Sequence, residues 1–466
     1  MLRKGCTMEQ PVKAPAAGAG SATAGAPRRA VVAACVGNFI EYYDFVVYGY
    51  FATTIAALFF PAQDPTASLL LTFAAFAVSY AARPLGALIF GRIGDRYGRK
   101  APLTVAILLI ATCTTVIGLL PTYEAIGVAA PIILTVARLL QGISVGGEYG
   151  GALAFIAESA PPNRRSFYTG WQTFTIGLAL LVGAAVASTM TTTMDPEALQ
   201  SWGWRIPFLA GLPLGFVGLY MRLRLEETPH FKSVQQQLAT EKAPLRRSVR
   251  MEWRALLLGM GMIATPSYCI YIYFIYSPTY LQSELGYPAA QAQSANLVSL
   301  IFYCALLPFF AYLGDRVGRR PLIIIGATAV AVVTYPAFLV LGSGDIVIAT
   351  SALCVMGLCF APISAVALAG IAEVFPTTFR YTGASLSLNI PVTLLGGTAP
   401  LIATALIGAT GNVASPALLV VIGGIISAAT GFVMTETANR GLREVSVEGG
   451  HQRVTATPLA TGTEGH

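Results

Sequence analysis

Twelve apolar stretches run through the chain between about Ala30 and Met434, separated by short polar breaks that carry most of the charge. They fall near residues 30–58, 68–92, 102–120, 127–157, 167–189, 205–222, 254–281, 293–313, 321–341, 346–372, 381–407 and 416–435. Each matches or exceeds the roughly 17–25 apolar residues that a tilted helix needs to cross a bilayer. Lipid offers no partner to a backbone amide or carbonyl, so an open run of this kind is predicted to be helical. The expected fold is therefore an all-α membrane protein of twelve transmembrane helices. Composition agrees, with 55% hydrophobic and only 11% charged residues and a mean hydropathy of +0.66; soluble chains carry about 25% charged residues.

The polar breaks predict orientation. With both termini in the cytoplasm, 26 of the 29 Lys and Arg residues lie in the tails, in loops after even-numbered spans, or at their inner boundaries; only Arg83, Arg138 and Arg205 do not. That asymmetry is the positive-inside bias of a multi-pass protein of the cell membrane. It accounts for the net charge of +7 and leaves no basic patch for nucleic acid. Residues 1–29, rich in Ala, Gly and Pro, read as a disordered cytoplasmic tail with no cleavable signal, 223–253 as a cytoplasmic linker, and 437–466 as a second polar tail. Six spans then lie in 30–222 and six in 254–436. Six of the seven cysteines fall inside spans and Cys6 in a tail, without ligand spacing, so neither a structural disulfide nor a metal site is expected.

The two sets of six are repeats of one unit. Gly94-Asp95-Arg96-Tyr97-Gly98-Arg99-Lys100, after span two, returns 220 positions later as Gly314-Asp315-Arg316-Val317-Gly318-Arg319-Arg320, after span eight. A second echo pairs Ile156-Ala157-Glu158, Arg165 and Tyr168-Thr169-Gly170 with Ile371-Ala372-Glu373, Arg380 and Tyr381-Thr382-Gly383. Two landmarks in the same order at nearly the same separation predict two pseudo-symmetric six-helix bundles. In each tag the Asp is placed to accept from amides at a helix start, and the arginines to reach a carboxylate at the end of another span. Asp95, Arg96, Arg99 and Glu158, with Asp315, Arg316, Arg319 and Glu373, are thus expected to form clasps at the cytoplasmic face that hold an outward-open state. The plainer reading makes the basic residues topological anchors only.

The tag resembles the signature of the major facilitator superfamily. Further strings resemble its metabolite:proton symporter family: Glu41-Tyr42-Tyr43-Asp44-Phe45, Arg83-Pro84-Leu85-Gly86, Arg138-Leu139-Leu140-Gln141-Gly142, Gly146-Gly147-Glu148-Tyr149-Gly150 and Trp202-Gly203-Trp204-Arg205-Ile206-Pro207-Phe208. The run Trp202–Phe208, Leu225-Glu226-Glu227-Thr228-Pro229 and Glu436-Thr437-Ala438-Asn439-Arg440 most resemble the family's proline/betaine branch, although no heptads of a C-terminal coiled coil follow Arg440. The resemblance implies uptake of a small organic solute, driven by the proton gradient and without a cofactor.

Few ionisable residues lie well inside the spans: Glu41 and Asp44 in span one, Arg83 in span two, Arg138 and Glu148 in span four. Each is costly in lipid and needs a reason. At 1.5 Å per residue, Asp44 and Arg138 reach the same depth from opposite ends of antiparallel spans, and Glu41, one turn lower on the same face, falls near the levels of Arg83 and Glu148. Two arginines need two ionised partners, which leaves the third carboxylate free to take a proton. Asp44 paired with Arg138 is the first candidate for proton coupling, Glu148 the second; the bland alternative is that these charges only lock three helices together.

Tyr42 and Tyr43 in span one, with Tyr268 and Tyr271 in span seven, offer rings for a quaternary ammonium by cation–π attraction. Trp171, Gln172, Asn296 and Asn389 are further candidates for a cavity wall, and Arg138 for a substrate carboxylate. The expected cargo is a zwitterion such as proline or glycine betaine. Carboxylates such as 2-oxoglutarate, citrate or shikimate are the alternative, because Arg83, Arg138 and Arg205 offer forks for an anion. An enzyme is not expected, since the spans lack His, paired Cys ligands and a Ser–His arrangement. A nutrient sensor without transport activity is the remote alternative. The chain is expected to act as a monomer, with protons, solute and the lipid bilayer as its partners.

Overall fold

The computed structural model describes residues 26–86, 89, 100–146, 149–224, 252–438, 443–448 and 451–456. Among the described residues, and apart from short turns of helix in the connections, twelve long helical segments follow one another: α1 (Ala26–Tyr50, continued by Ala52–Phe59), α2 (Pro65–Ala81), α3 (Lys100–Leu119), α4 (Ala129–Val145 and Tyr149–Ser159), α5 (Arg165–Thr193) and α6 (Arg205–Leu209 and Gly211–Arg224), then α7 (Trp253–Cys269, with a wide turn Ile270–Tyr276 and Ser277–Ser283), α8 (Ala289–Val317), α9 (Arg319–Leu341), α10 (Ile346–Val374), α11 (Thr377–Pro391, with a wide turn Val392–Gly397 and Ala399–Thr410) and α12 (Pro416–Val433). Eight of these, α2, α5 and α7–α12, are long and apolar enough on their own to cross a membrane, while α3 and the first part of α4 are apolar over shorter lengths.

Local chemistry sets the boundaries. Asp64 accepts from the Thr66 amide at 2.9 Å, with Pro65 at the first helical position, and so starts α2. Asp345 does the same for α10 through Val347 at 2.7 Å. Gly411, at φ +65°, ends α11 in the left-handed region that glycine adopts without strain. Arg205 caps the end of α3 by donating to the carbonyls of Gly118 and Leu120, which gives this cation a structural place outside the bundle's interior. The polar tail contains an unexpected hairpin, β1 (Arg443–Glu448) antiparallel to β2 (His451–Ala456). Its alternation of Glu444, Val445, Ser446, Val447 and Glu448 has the period of two that a strand requires.

In the first half α1 lies on α5, α3 lies between α4 and α6, and α2 packs on α4; in the second, α10 lies between α8 and α9, while α12 packs on α7 and α9. The halves meet along α2 with α11, α5 with α8 and α10, and the second part of α4 with α11. The α2–α4 contact is close enough to exclude a methyl group from both sides. A Cβ on Gly142 would overlap the carbonyl of Ser79, and one on Gly86 the carbonyl of Ile143.

Candidate functional site

Glu41, Asp44, Phe45 and Tyr48 stand at i, i+3, i+4 and i+7 on α1 and share one face; all four are buried. Arg83 comes to this face from α2, and Arg138 from α4, fully buried. Arg83 Nη2 lies 3.6 Å from Glu41 Oε1, with its guanidinium 4.3 Å from the Tyr80 ring and 5.0 Å from Phe45. Arg138 lies 3.6 Å over the Tyr48 ring and 5.8 Å from Phe45, so one phenyl ring is flanked by two guanidiniums. The Tyr48 hydroxyl donates to the Thr72 carbonyl at 2.9 Å, which fixes the ring beneath the cation.

The expected direct pair of Asp44 with Arg138 does not form. Asp44 Oδ2 accepts from the Thr114 hydroxyl at 2.8 Å, Thr114 Oγ1 accepts from Gln141 Nε2 at 2.7 Å, and Gln141 Oε1 accepts from Arg138 Nη1 at 3.2 Å. The guanidinium takes the aromatic face of Tyr48, one turn beyond Asp44, because a planar, weakly hydrated cation stacks well on a ring. Two uncharged side chains then span the gap. Thr114 had no role in the sequence reading and Gln141 entered it only within the string Arg138-Leu139-Leu140-Gln141-Gly142, since polar residues of spans three and four carry no chemical signal until their depths are known. Glu148, with Asp95, Arg96 and Arg99, lies outside the described residues.

Beside this layer the halves touch at Tyr80. The Tyr271 hydroxyl donates to the Tyr80 hydroxyl at 2.9 Å, with the rings 5.4 Å apart at 86°. Pro84 has no N–H to offer the Tyr80 carbonyl one turn back, and the Thr393 hydroxyl of α11 donates to it at 3.2 Å. The same logic places Asn296. Pro278 cannot bond the Phe274 carbonyl, so Asn296 Nδ2 donates to it at 3.1 Å, while Oδ1 accepts from Ser277 at 3.3 Å. Asn296 thereby serves the backbone of α7. Tyr42 is buried in the α1 core.

Other candidates for a cavity wall face elsewhere. Tyr43 stacks on Phe39 and donates to the Pro207 carbonyl at 3.2 Å, toward α6. Tyr268 packs against Gly423 of α12. Trp171 is exposed beside Phe167 and Phe174. Gln172 is buried, and its carbonyl accepts from Asn38. Asn389 bonds the Ser385 carbonyl of its own helix. One helical position turns a side chain by 100°, so a cluster of tyrosines in sequence is dispersed over several faces.

At the end of the bundle where α1 begins and α12 ends, charged residues cross the seam. Arg380 Nη1 donates to Glu158 Oε1 at 2.7 Å, and Arg165 Nη1 lies 3.6 Å from Glu373 Oε1. Asp315 accepts from the Ser166 and Phe167 amides at 2.8 and 2.9 Å, capping α5 from the other half. Arg319 joins Asp315 at 3.3 Å to Glu373 at 2.9 Å. Arg316 is exposed on the Tyr312 ring and lies apart from this network. Glu436 accepts from the Arg319 and Arg320 amides, and Thr437 donates to Glu373 at 2.7 Å. Arg165 and Arg380 were legible as members of the second echo but not as partners of the opposite half. At the other end, Gln293 Nε2 donates to the Tyr50 carbonyl, beside the break in α1 at Phe51, and Ser188 meets Ser294, each at 3.0 Å.

The chain matches a family model described as sugar (and other) transporter twice, over residues 30–252 and 232–448, with the overlap in the region between the halves. It is 35% identical over 425 residues to the glycine betaine/proline/ectoine/pipecolic acid transporter of Dickeya dadantii, covering 89% of this chain and 85% of that one. It is also 35% identical, over 389 residues, to the citrate-proton symporter of Klebsiella pneumoniae, covering 83% and 87% of the two. The fold superposes on the xylose transporter from E. coli in a partially occluded inward-open conformation with a TM-score of 0.70 at 18% identity, covering 88% of this chain and 98% of that one.

Proposed function

The chain belongs to the sugar (and other) transporter family, within the major facilitator superfamily, and from that membership we propose that it is a proton-coupled symporter importing a small zwitterion such as proline or glycine betaine. The observation that carries the reading is the buried layer of two carboxylates and two arginines on α1, α2 and α4, set against the Tyr80–Tyr271 contact between the halves. Ionisable groups at that depth are costly, so a paired cluster of them marks a functional site by default. In this reading Asp44 takes and releases the proton, Arg138 and Arg83 hold the charge balance with Glu41, and alternating access comes from rocking one bundle against the other. The 35% identity to a transporter named for betaine and proline supports the cargo.

Both termini then lie in the cytoplasm, because the basic residues collect at that end. The network of Glu158, Arg165, Asp315, Arg319, Glu373 and Arg380 becomes the cytoplasmic clasp, released each time the site opens inward. One chain holds both bundles and acts as a monomer.

A carboxylate is the second reading, favoured by the citrate-proton symporter relative and by the two buried guanidiniums. Purified protein in liposomes with an imposed inward proton gradient, offered labelled glycine betaine, proline, citrate and 2-oxoglutarate in turn, decides between them. Accumulation of betaine or proline that collapses with a protonophore is the expected result. Accumulation of a carboxylate without competition from excess betaine overturns the cargo, and flux of none of the four removes the transport reading for this solute set.

A further inference from the structure

Asp44 and Arg138 are the two groups the proposed cycle relies on most, yet two other side chains stand between them. The Thr114 hydroxyl is where the connection passes through a group able to change direction. A hydroxyl has one proton to give and two lone pairs to receive with. Thr114 Oγ1 lies 2.8 Å from Asp44 Oδ2, 2.9 Å from the Ile110 carbonyl and 2.7 Å from Gln141 Nε2. We infer that Thr114 and Gln141 are the positioning residues through which the protonation state of Asp44 is communicated to Arg138, an inference that rests on the reading of Asp44 as the proton carrier.

The chemistry follows atom by atom. With Asp44 ionised, the Thr114 hydroxyl gives its proton to Oδ2 and receives from Gln141. With Asp44 protonated, the carboxylic acid gives its proton to the free lone pair of Oγ1, and the hydroxyl proton turns to the Ile110 carbonyl. Gln141 remains a donor to Oγ1 in both states, and its Oε1 remains the acceptor of Arg138 Nη1. Both states are satisfied with no heavy atom moved, yet the charge at the far end of the Arg138–Gln141–Thr114 chain has changed. When Asp44 is neutral, the negative charge at its end of the chain no longer attracts the guanidinium, and Arg138, held only by the Gln141 oxygen and the Tyr48 ring, is more easily drawn to a solute carboxylate. Among the described residues, the ionisable groups around Asp44 are Glu41 and Tyr43 from α1, Cys113 from α3 and Arg138 from α4, while α6 presents the backbone at Gly211. Of these, only Arg138 is a cation.

Two assays separate this role from packing: accumulation driven by a proton gradient, and solute exchange at equal pH. Thr114→Val keeps the shape and removes the hydroxyl, and is expected to lower accumulation by about tenfold, the scale of one hydrogen bond to a charged group, with exchange within about twofold of the parent. Thr114→Ser is expected to restore accumulation. Gln141→Met leaves the Thr114–Asp44 bond and cuts the link to Arg138, and is expected to uncouple in the same way; it decides the matter if the valine variant does not fold. Accumulation at the parent level in a folded Thr114→Val or Gln141→Met protein, or equal loss of accumulation and exchange, overturns the inference. Asp44→Asn is run alongside. If it still accumulates solute, the proton-carrier reading itself falls; if it does not and the other variants behave like the parent, only the connection falls.

Discussion

Arg380 of the second half donates to Glu158 of the first at 2.7 Å, and the corresponding Arg165 of the first half faces Glu373 of the second at 3.6 Å. Each arginine thus reaches the glutamate of the other repeat. This exchange makes the duplicated motif a fastening between bundles. Arg380 also donates to the Ala372 and Phe375 carbonyls and so finishes α10. Glu158 is exposed and, among the described residues, has no such second task.

That asymmetry separates gating from folding. Glu158→Gln leaves Arg380 with its carbonyls, so it is expected to lower turnover several-fold with little change in apparent affinity and in melting temperature. Arg380→Ala removes the clasp and the helix end together, and is expected to cost on the order of 3 kcal/mol of stability as well. Initial-rate kinetics and a thermal shift in detergent measure both. A pure rise in KM for Glu158→Gln, at an unchanged maximal rate, would count against a gating role.

Most of this architecture was legible in the chain. Apolar length, the distribution of arginines and two displaced echoes suffice for twelve helices in two sets, because lipid removes every alternative for the backbone. The charged residues of the centre were legible for the same reason: a buried charge stands out against lipid. Their pairing was not. Asp44 and Arg138 share a depth, but which neighbour each takes depends on the rotation of α3 and α4 about their axes, and Thr114, Gln141 and Tyr48 settle that. The candidates for cavity walls fared least well, since Tyr43, Trp171 and Asn296 are chemically suited to a solute and are claimed by the Pro207 carbonyl, the outer face of α5 and the gap left by Pro278.

Arg138 carries a sharper test of the buried layer than either carboxylate. Arg138→Ala takes away the one cation that the described residues place near Asp44 and strips the Tyr48 ring of its partner, leaving an uncompensated buried charge. A loss on the order of 3–5 kcal/mol is expected for breaking such an arrangement, against a small one for Asp44→Asn, which leaves a neutral hydrogen-bonding group in place. Thermal unfolding of the two purified variants should therefore differ by many degrees, and transport should be lost in both exchange and accumulation for Arg138→Ala. Equal stability of the two would show that the charges are not coupled.

The α2–α4 contact predicts a matched pair of packing defects. Gly142→Ala meets the Ser79 carbonyl and Gly86→Ala meets the Ile143 carbonyl, and backbone on both sides cannot turn aside as a side chain would. Each is expected to destabilise the first bundle by about 1–3 kcal/mol, the range for overpacking. Because the two sites lie along the same helix pair, the double variant should cost less than the sum, the helices having already moved apart. Melting temperatures of the two single variants and the double variant test this, and an additive double variant would place the two contacts in separate units.

The cargo can be tested at one ring. Tyr271 belongs to the second half and meets Tyr80 of the first, whose ring faces Arg83. In the zwitterion reading this seam holds the positive end of the solute against aromatic faces while an arginine takes its carboxylate. Tyr271→Phe keeps the face and loses only the bond to the Tyr80 hydroxyl, so the KM for betaine should stay within about threefold of the parent. Tyr271→Ala loses the face, and a cation–π contribution of about 0.5–2 kcal/mol predicts a KM raised by roughly 2–30-fold. A cargo without a cation has no use for the ring's quadrupole, so a carboxylate transporter would show no such separation between the two variants. The comparison therefore reads the charge of the bound end, whichever zwitterion or carboxylate the transporter carries.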